Sequence, residues 1–153
     1  MAQRCWEDFQ VGDRFQTGAY AVTEKAIVDF AREFDPQPFH LDIEAAEKSV
    51  FQGLAASGWH TAAMTMRLYV TSGLELAGGS VGLGVDELRW PVPVRPGDTL
   101  RCEIEILETR PSKSRPDRGI LRIRDVTRNQ KGEVVQTFTA AVLALRRPAY
   151  SAD

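Results

Sequence analysis

Apolar residues Ile27, Phe30, Ala31 and Phe34 fall on one face of TEKAIVDFAREF (residues 23–34), the rhythm of an amphipathic helix. Thr23 stands where a side-chain oxygen caps the first turn, and Glu24 suits the positive end of the helix dipole. Pro36 turns Asp35 away from helical geometry, so the helix is predicted to end there. Asp42 is the predicted cap of a second, short helix over IEAAEKSVF (residues 43–51), with Glu44 in its first turn. The pattern then changes in GLAASGWHTAAMTMRLYVTSG (residues 53–73). Between Ser57 and Thr71 only Arg67 carries a formal charge if His60 is neutral. Apolar side chains on nearly all sides predict a buried helix, one too short to span a membrane.

After the turn signal Pro96-Gly97-Asp98, LRCEIEIL (residues 100–107) alternates apolar and polar positions as a strand does. GILRIRDVTR (residues 119–128) repeats the alternation, and NQKG (residues 129–132) reads as a hairpin turn. EVVQTFTAAVLALRR (residues 133–147) has both characters; its threonines, Val142 and the hairpin before it favour strand. Val135, Thr137, Thr139, Ala141, Leu143 and Leu145 then share one face. With RFQTGAYAV (residues 14–22) and SVGLGVDELRW (residues 80–90) the chain supplies about five strands and one buried helix. The economical packing is α+β: a long antiparallel sheet wrapped round a central helix, the hotdog fold. Residues 34–56 are then a short helical overhang inserted ahead of the central helix, residues 57–73.

Composition narrows the function classes. A chain of 153 residues is read as one domain, residues 1–153, able to bury a core without staples. A formal charge of -2 gives no basic face for nucleic acid, although a local patch stays open. Cys5 and Cys102 imply no disulfide framework, and MAQRCWEDFQVGDRF has no apolar leader core, so a cytoplasmic protein is expected. Two histidines and two scattered cysteines show no ligand spacing, so no metal is expected.

The candidate chemistry lies in FDPQPFHLD (residues 34–42). Pro36 and Pro38 fix φ at two of the four residues between Asp35 and His40. Fewer backbone states must then be frozen to hold the two side chains around one small reactant. An aspartate five residues before a histidine, with a polar residue and proline between (here Gln37 and Pro38), resembles the motif of MaoC-like dehydratases, the (R)-specific enoyl-CoA hydratases. ASGWHTAAM and LRWPVPVRPGDTL extend the resemblance over nearly the whole chain. It departs in two places. Gln37 replaces the usual asparagine, and Ser57-Gly58 replaces the usual His-Gly. The position near Ala63, where some members carry a serine that holds the aspartate, has no hydroxyl.

The resemblance implies addition or removal of water across an enoyl-thioester double bond, with Asp35 and His40 as an acid-base pair. Gly58, at a helix start where N–H groups lack partners, is the expected oxyanion donor. CoA enters as part of the substrate, and no separate cofactor is implied. Ser57, Trp59, His60 and Arg89 are candidate substrate contacts, each with a plainer reading. Ser57 suits a helix cap, Trp59 and His60 suit packing, and Arg89, like Arg95, Arg67 and the basic run at residues 110–118, suits a solvated charge. A homodimer is expected, with acyl-CoA along its interface. Two other readings remain: a hotdog thioesterase, disfavoured because residues 57–71 hold no carboxylate, and a non-catalytic acyl-thioester binding subunit.

Overall fold

The computed structural model describes residues 3–148. A 3-10 turn at Trp6–Asp8 precedes two short strands, β1 (Arg14–Gln16) and β2 (Tyr20–Ala21). Helices α1 (Glu24–Phe34), α2 (Pro38–Leu41), α3 (Ile43–Glu47) and α4 (Gly58–Ser72) follow, then strands β3 (Val81–Arg89), β4 (Thr99–Pro111), β5 (Arg118–Arg128) and β6 (Val134–Leu145). The sheet runs β1-β4-β5-β6-β3 with every pairing antiparallel, and β2 also pairs with β4. It curls round α4 in the expected hotdog arrangement.

Local chemistry accounts for the element boundaries. The Ala26 N–H donates to Thr23 Oγ1 at 3.1 Å, and Asp35, at φ -151° and ψ 66°, ends α1 before Pro36. Asp42 caps α3 by accepting from the Ala45 N–H at 2.7 Å. The predicted first strand breaks at Gly18 into two pieces. The predicted loop between Asp35 and His40 instead contains a one-turn helix, α2, with Pro38 at its first position, where the missing N–H costs nothing. Strand β4 runs on to Pro111, so the basic segment begins as strand, and Asp117 and Arg118 lie 3.6 Å apart at its far side.

Two core clusters lie between sheet and helix. One joins Phe9, Tyr69, Leu74, Ile104, Ile106, Leu121 and Ile123; the other joins Ile27, Met64, Leu68, Val94, Leu100 and Val135. On β6 the inward residues are Ala140, Val142 and Ala144, while Thr137, Thr139, Ala141 and Leu143 point outward. The register shift opposite Thr127 and Arg128 buries both Val135 and Gln136 and resets the alternation. Helix α4 also differs from its expected all-round burial. His60, Thr61, Met64, Thr65, Leu68 and Tyr69 are covered, whereas Trp59, Met66 and Val70 on the other side are exposed. Among the described residues no helix is long and apolar enough to cross a membrane.

Candidate active site

The short helix α2 delivers His40 inward. The residue is 4% exposed, and Nδ1 lies 2.6 Å from the Ala55 carbonyl oxygen. A carbonyl only accepts, so Nδ1 carries the proton and Nε2 is the free working atom. Nε2 faces Asp35 Oδ2 at 3.3 Å. Phe39 meets the imidazole edge-on with ring centroids 4.6 Å apart, and Phe51 packs at 6.0 Å, so the ring is walled on two sides.

Three neighbours set the charge of Asp35. Burial alone raises its pKa, but the Ser57 hydroxyl, the Gln37 amide and, once it is protonated, His40 outweigh that and hold it below the ordinary carboxylate value. Gln37 Nε2 donates to Asp35 Oδ1 at 2.5 Å, so the glutamine in place of asparagine still pins the carboxylate. Ser57 occupies the N-cap of α4 but makes no side-chain capping bond. Its buried hydroxyl has no partner of ordinary hydrogen-bond geometry and stands beside Asp35. Ala63, near the position where the hydroxyl is missing, is exposed, and the hydroxyl that does stand beside Asp35 is that of Ser57.

A cavity of about 580 Å³ opens on His40, lined also by Gln37, Phe51, Gly58, Thr61 and Trp90 among others. Gly58 opens α4, where first-turn N–H groups lack helical partners. A Cβ on Gly58 would lie 2.5 Å from the Trp90 ring, so the glycine lets the indole pack closely against the start of α4. The indole is fixed by donating to Gln136 Oε1 at 2.9 Å. Just before it, β3 loses register between Asp86 and Arg89, with Glu87 at φ 52°, which re-aims the chain toward the cavity.

Of the residues singled out by sequence, the structure brings Asp35, His40, Ser57 and Gly58 together. Trp59, His60, Arg89 and Arg67 are not among the residues that line this cavity. Trp59 is exposed, meets Trp90 edge-on at 5.3 Å and lines a second, apolar hollow. His60 is buried and stacks on Phe30 with ring centroids 4.7 Å apart, and burial lowers its pKa. Arg89 is exposed at the end of β3 opposite Thr137, and Arg67 is exposed on α4. Arg95 lines the cavity but directs its guanidinium at backbone carbonyls. Trp90 and the Ala55 carbonyl have roles that the motif could not disclose. The track WPVPVRPG, whose prolines favour extended backbone, was the available signal for the cavity wall. Among the described residues no cluster of three or more His, Cys, Asp or Glu could hold a metal.

A sheet curled round one helix, with an Asp–His pair carried to a cavity on a proline-stiffened arm, defines a hotdog domain of the hydratase/dehydratase class. The chain belongs to the MaoC-like dehydratase family: the MaoC like domain matches residues 8–125. It is 34% identical over 140 residues to the uncharacterized protein YdeM of Bacillus subtilis, covering 92% of this chain and 98% of that one. Its fold is similar to the MaoC-like dehydratase from Rhodospirillum rubrum, with TM-score 0.91 and 60% identity over 95% of this chain and 99% of that chain. R-hydratase PhaJ1 from Pseudomonas aeruginosa is also similar, at TM-score 0.75 and 28% identity over 94% of this chain and 86% of that chain.

Proposed function

We propose that the protein hydrates an enoyl-thioester, or dehydrates the matching 3-hydroxyacyl-thioester, with CoA as the carrier. The observation that supports it most directly is the 3.3 Å approach of Asp35 Oδ2 to His40 Nε2 beside the cavity. With Nδ1–H committed to Ala55, Nε2 and the ionised carboxylate are both acceptors. A water molecule donating to each is the reactant this geometry favours. Its oxygen attacks the β-carbon while Nε2 takes one proton. The π electrons move to the α-carbon and thioester oxygen, where the Gly58 N–H is the candidate donor. The imidazolium then returns its proton to the α-carbon, so water is added and the pair is restored. Acid-base groups of this kind contribute about 10²–10⁴-fold each.

A homodimer is part of the proposal. The side of α4 left uncovered bears Trp59, Met66 and Val70, and the neighbouring edge strand β3 exposes Val81, Leu83 and Val85. An apolar edge of this kind needs a cover. A second copy supplies the same strand by two-fold symmetry.

The test is loss of enoyl-thioester absorbance with crotonyl-CoA and a panel of longer and branched enoyl-CoAs, alongside Asp35→Asn and His40→Gln. Turnover by the parent and a loss of at least about 100-fold in both folded variants is the expected result. An inert parent across the panel overturns the reading. Binding without turnover would favour an acyl-thioester binding subunit.

A further inference from the structure

Arg95 precedes the turn Pro96-Gly97-Asp98 and reaches back across the molecule to the segment after α3. Nη1 donates to the Gly53 carbonyl at 2.8 Å and to the Leu54 carbonyl at 3.3 Å, and Nη2 donates to the Phe51 carbonyl. All three partners are backbone oxygens within four residues of one another and immediately before Ala55. Three converging carbonyl dipoles repel one another and need donors when partly buried. A planar guanidinium meets that need from one plane, and an ammonium does not. Gly53 permits the approach, since a Cβ there would lie 3.2 Å from Nη1.

The clamp is anchored at its other end. The Arg95 N–H donates to Asp98 Oδ2 at 2.8 Å, and Gln130 Nε2 donates to Asp98 Oδ1 at 2.9 Å, which ties the base of Arg95 to the β5–β6 hairpin. Its far end leads to the proposed catalytic pair. The Ala55 N–H donates to the Phe39 carbonyl at 3.2 Å, and the Ala55 carbonyl accepts from His40 Nδ1 at 2.6 Å. The residue that orients His40 therefore sits directly after the three that Arg95 holds. A phosphate ligand for Arg95 would have to displace these bonds.

We propose that Arg95 is a positioning residue for His40, acting through the backbone of residues 51–55. It fixes the direction of the Ala55 carbonyl, and so the tautomer and ring plane that present Nε2 to Asp35. The kinetic arm of the test rests on the hydratase reading; the spectroscopic arm does not.

The experiment compares parent, Arg95→Lys and Arg95→Ala proteins labelled with nitrogen-15 histidine. The chain has two histidines, so loss of a resonance in His40→Gln assigns the His40 Nδ1–H. In the parent that proton should be strongly downfield and slow to exchange with water. In both Arg95 variants it should move upfield and exchange at least about tenfold faster. On an enoyl-CoA that the parent turns over, kcat should fall about 10- to 100-fold, the scale of a small misplacement of a reacting group. KM should change by less than about threefold, and millimolar guanidinium should recover part of kcat in Arg95→Ala. Should Arg95→Ala not fold, Arg95→Lys carries both readouts. An unchanged His40 resonance with unchanged kcat in a folded variant overturns the proposal. A resonance that shifts as expected in a parent inert toward enoyl-CoA leaves the clamp standing and removes the hydratase reading.

Discussion

Asp35 is held ionised by neighbours rather than by solvent, and each neighbour has a separable effect. Ser57 is the informative one, because its buried hydroxyl has no other partner. Ser57→Ala removes one influence that lowers the Asp35 pKa and leaves the small buried site packed. The acid limb of the kcat/KM profile should move to higher pH, so that rate is lost on that limb. An unmoved limb would assign Ser57 to packing alone. Gly58 makes a different prediction. Because Trp90 is bonded to Gln136 and cannot swing freely, Gly58→Ala forces the indole or α4 to shift. Overpacking of this kind costs about 1–3 kcal/mol, so the melting temperature and the rate should both fall. A variant with the parent's melting temperature would mean that the ring yields without cost.

At the scale of elements, β4, β5, β6 and α4 are joined by a buried polar chain as well as by apolar contact. Trp90 donates to Gln136, which donates to Thr65 on α4 at 2.9 Å; Thr65 meets Thr127 on β5 at 3.0 Å, and Thr127 donates to Asp125 at 3.0 Å. Cys102 on β4 joins at 3.1 Å from Thr127. Asp125 is 1% exposed, and burial pushes its pKa from 3.8 up to about 6, despite the hydrogen bonds that pull it down. The folded state thus binds the proton more tightly than the unfolded one. Its stabilising share is complete below pH 3.8 and is lost as pH rises through about 6, roughly 3 kcal/mol in all. Asp125→Asn carries no such charge, so its stability relative to the parent should improve by about that amount between pH 4 and pH 7, read by thermal melts across pH. A pH-independent gap would contradict it. The alternation along GILRIRDVTR made β5 legible in the sequence, but that Asp125 lies on its inward face, and what it meets there, emerges only from the structure. Gln136, Thr65 and Thr127 come from three distant segments. The caps at Thr23 and Asp42 were legible because their partners lie three residues away. Helix α2 was not, because two prolines in three residues read as loop until Pro38 is seen to occupy a first-turn position.

For the whole molecule, the mismatch between sequence and monomer carries the most information. The near-continuous apolar character of α4 predicts burial on all sides, yet the sheet covers only one of them. Trp59 at 61%, Met66 at 54% and Val85 at 57% exposure rim an apolar hollow of about 400 Å³ between α4, β3 and β6. That hollow adjoins the candidate site through the contact of Trp59 with Trp90. The proposed dimer closes it by setting two β3 edges against each other, so the same residues recur across a two-fold axis. A charge there is then met by its own copy. Val85→Asp places two carboxylates in a desolvated seam, where like charges cost several kcal/mol and weaken association by about 10³-fold or more. Sedimentation should give the parent at twice its 17.0 kDa chain mass and the variant at the single mass. Because the hollow backs onto Trp90, the monomeric variant should also lose enoyl-CoA turnover while its far-UV circular dichroism stays that of a folded chain. A parent that sediments at the single mass, with turnover intact, would show that one copy completes the site by itself and that the bare face serves another partner.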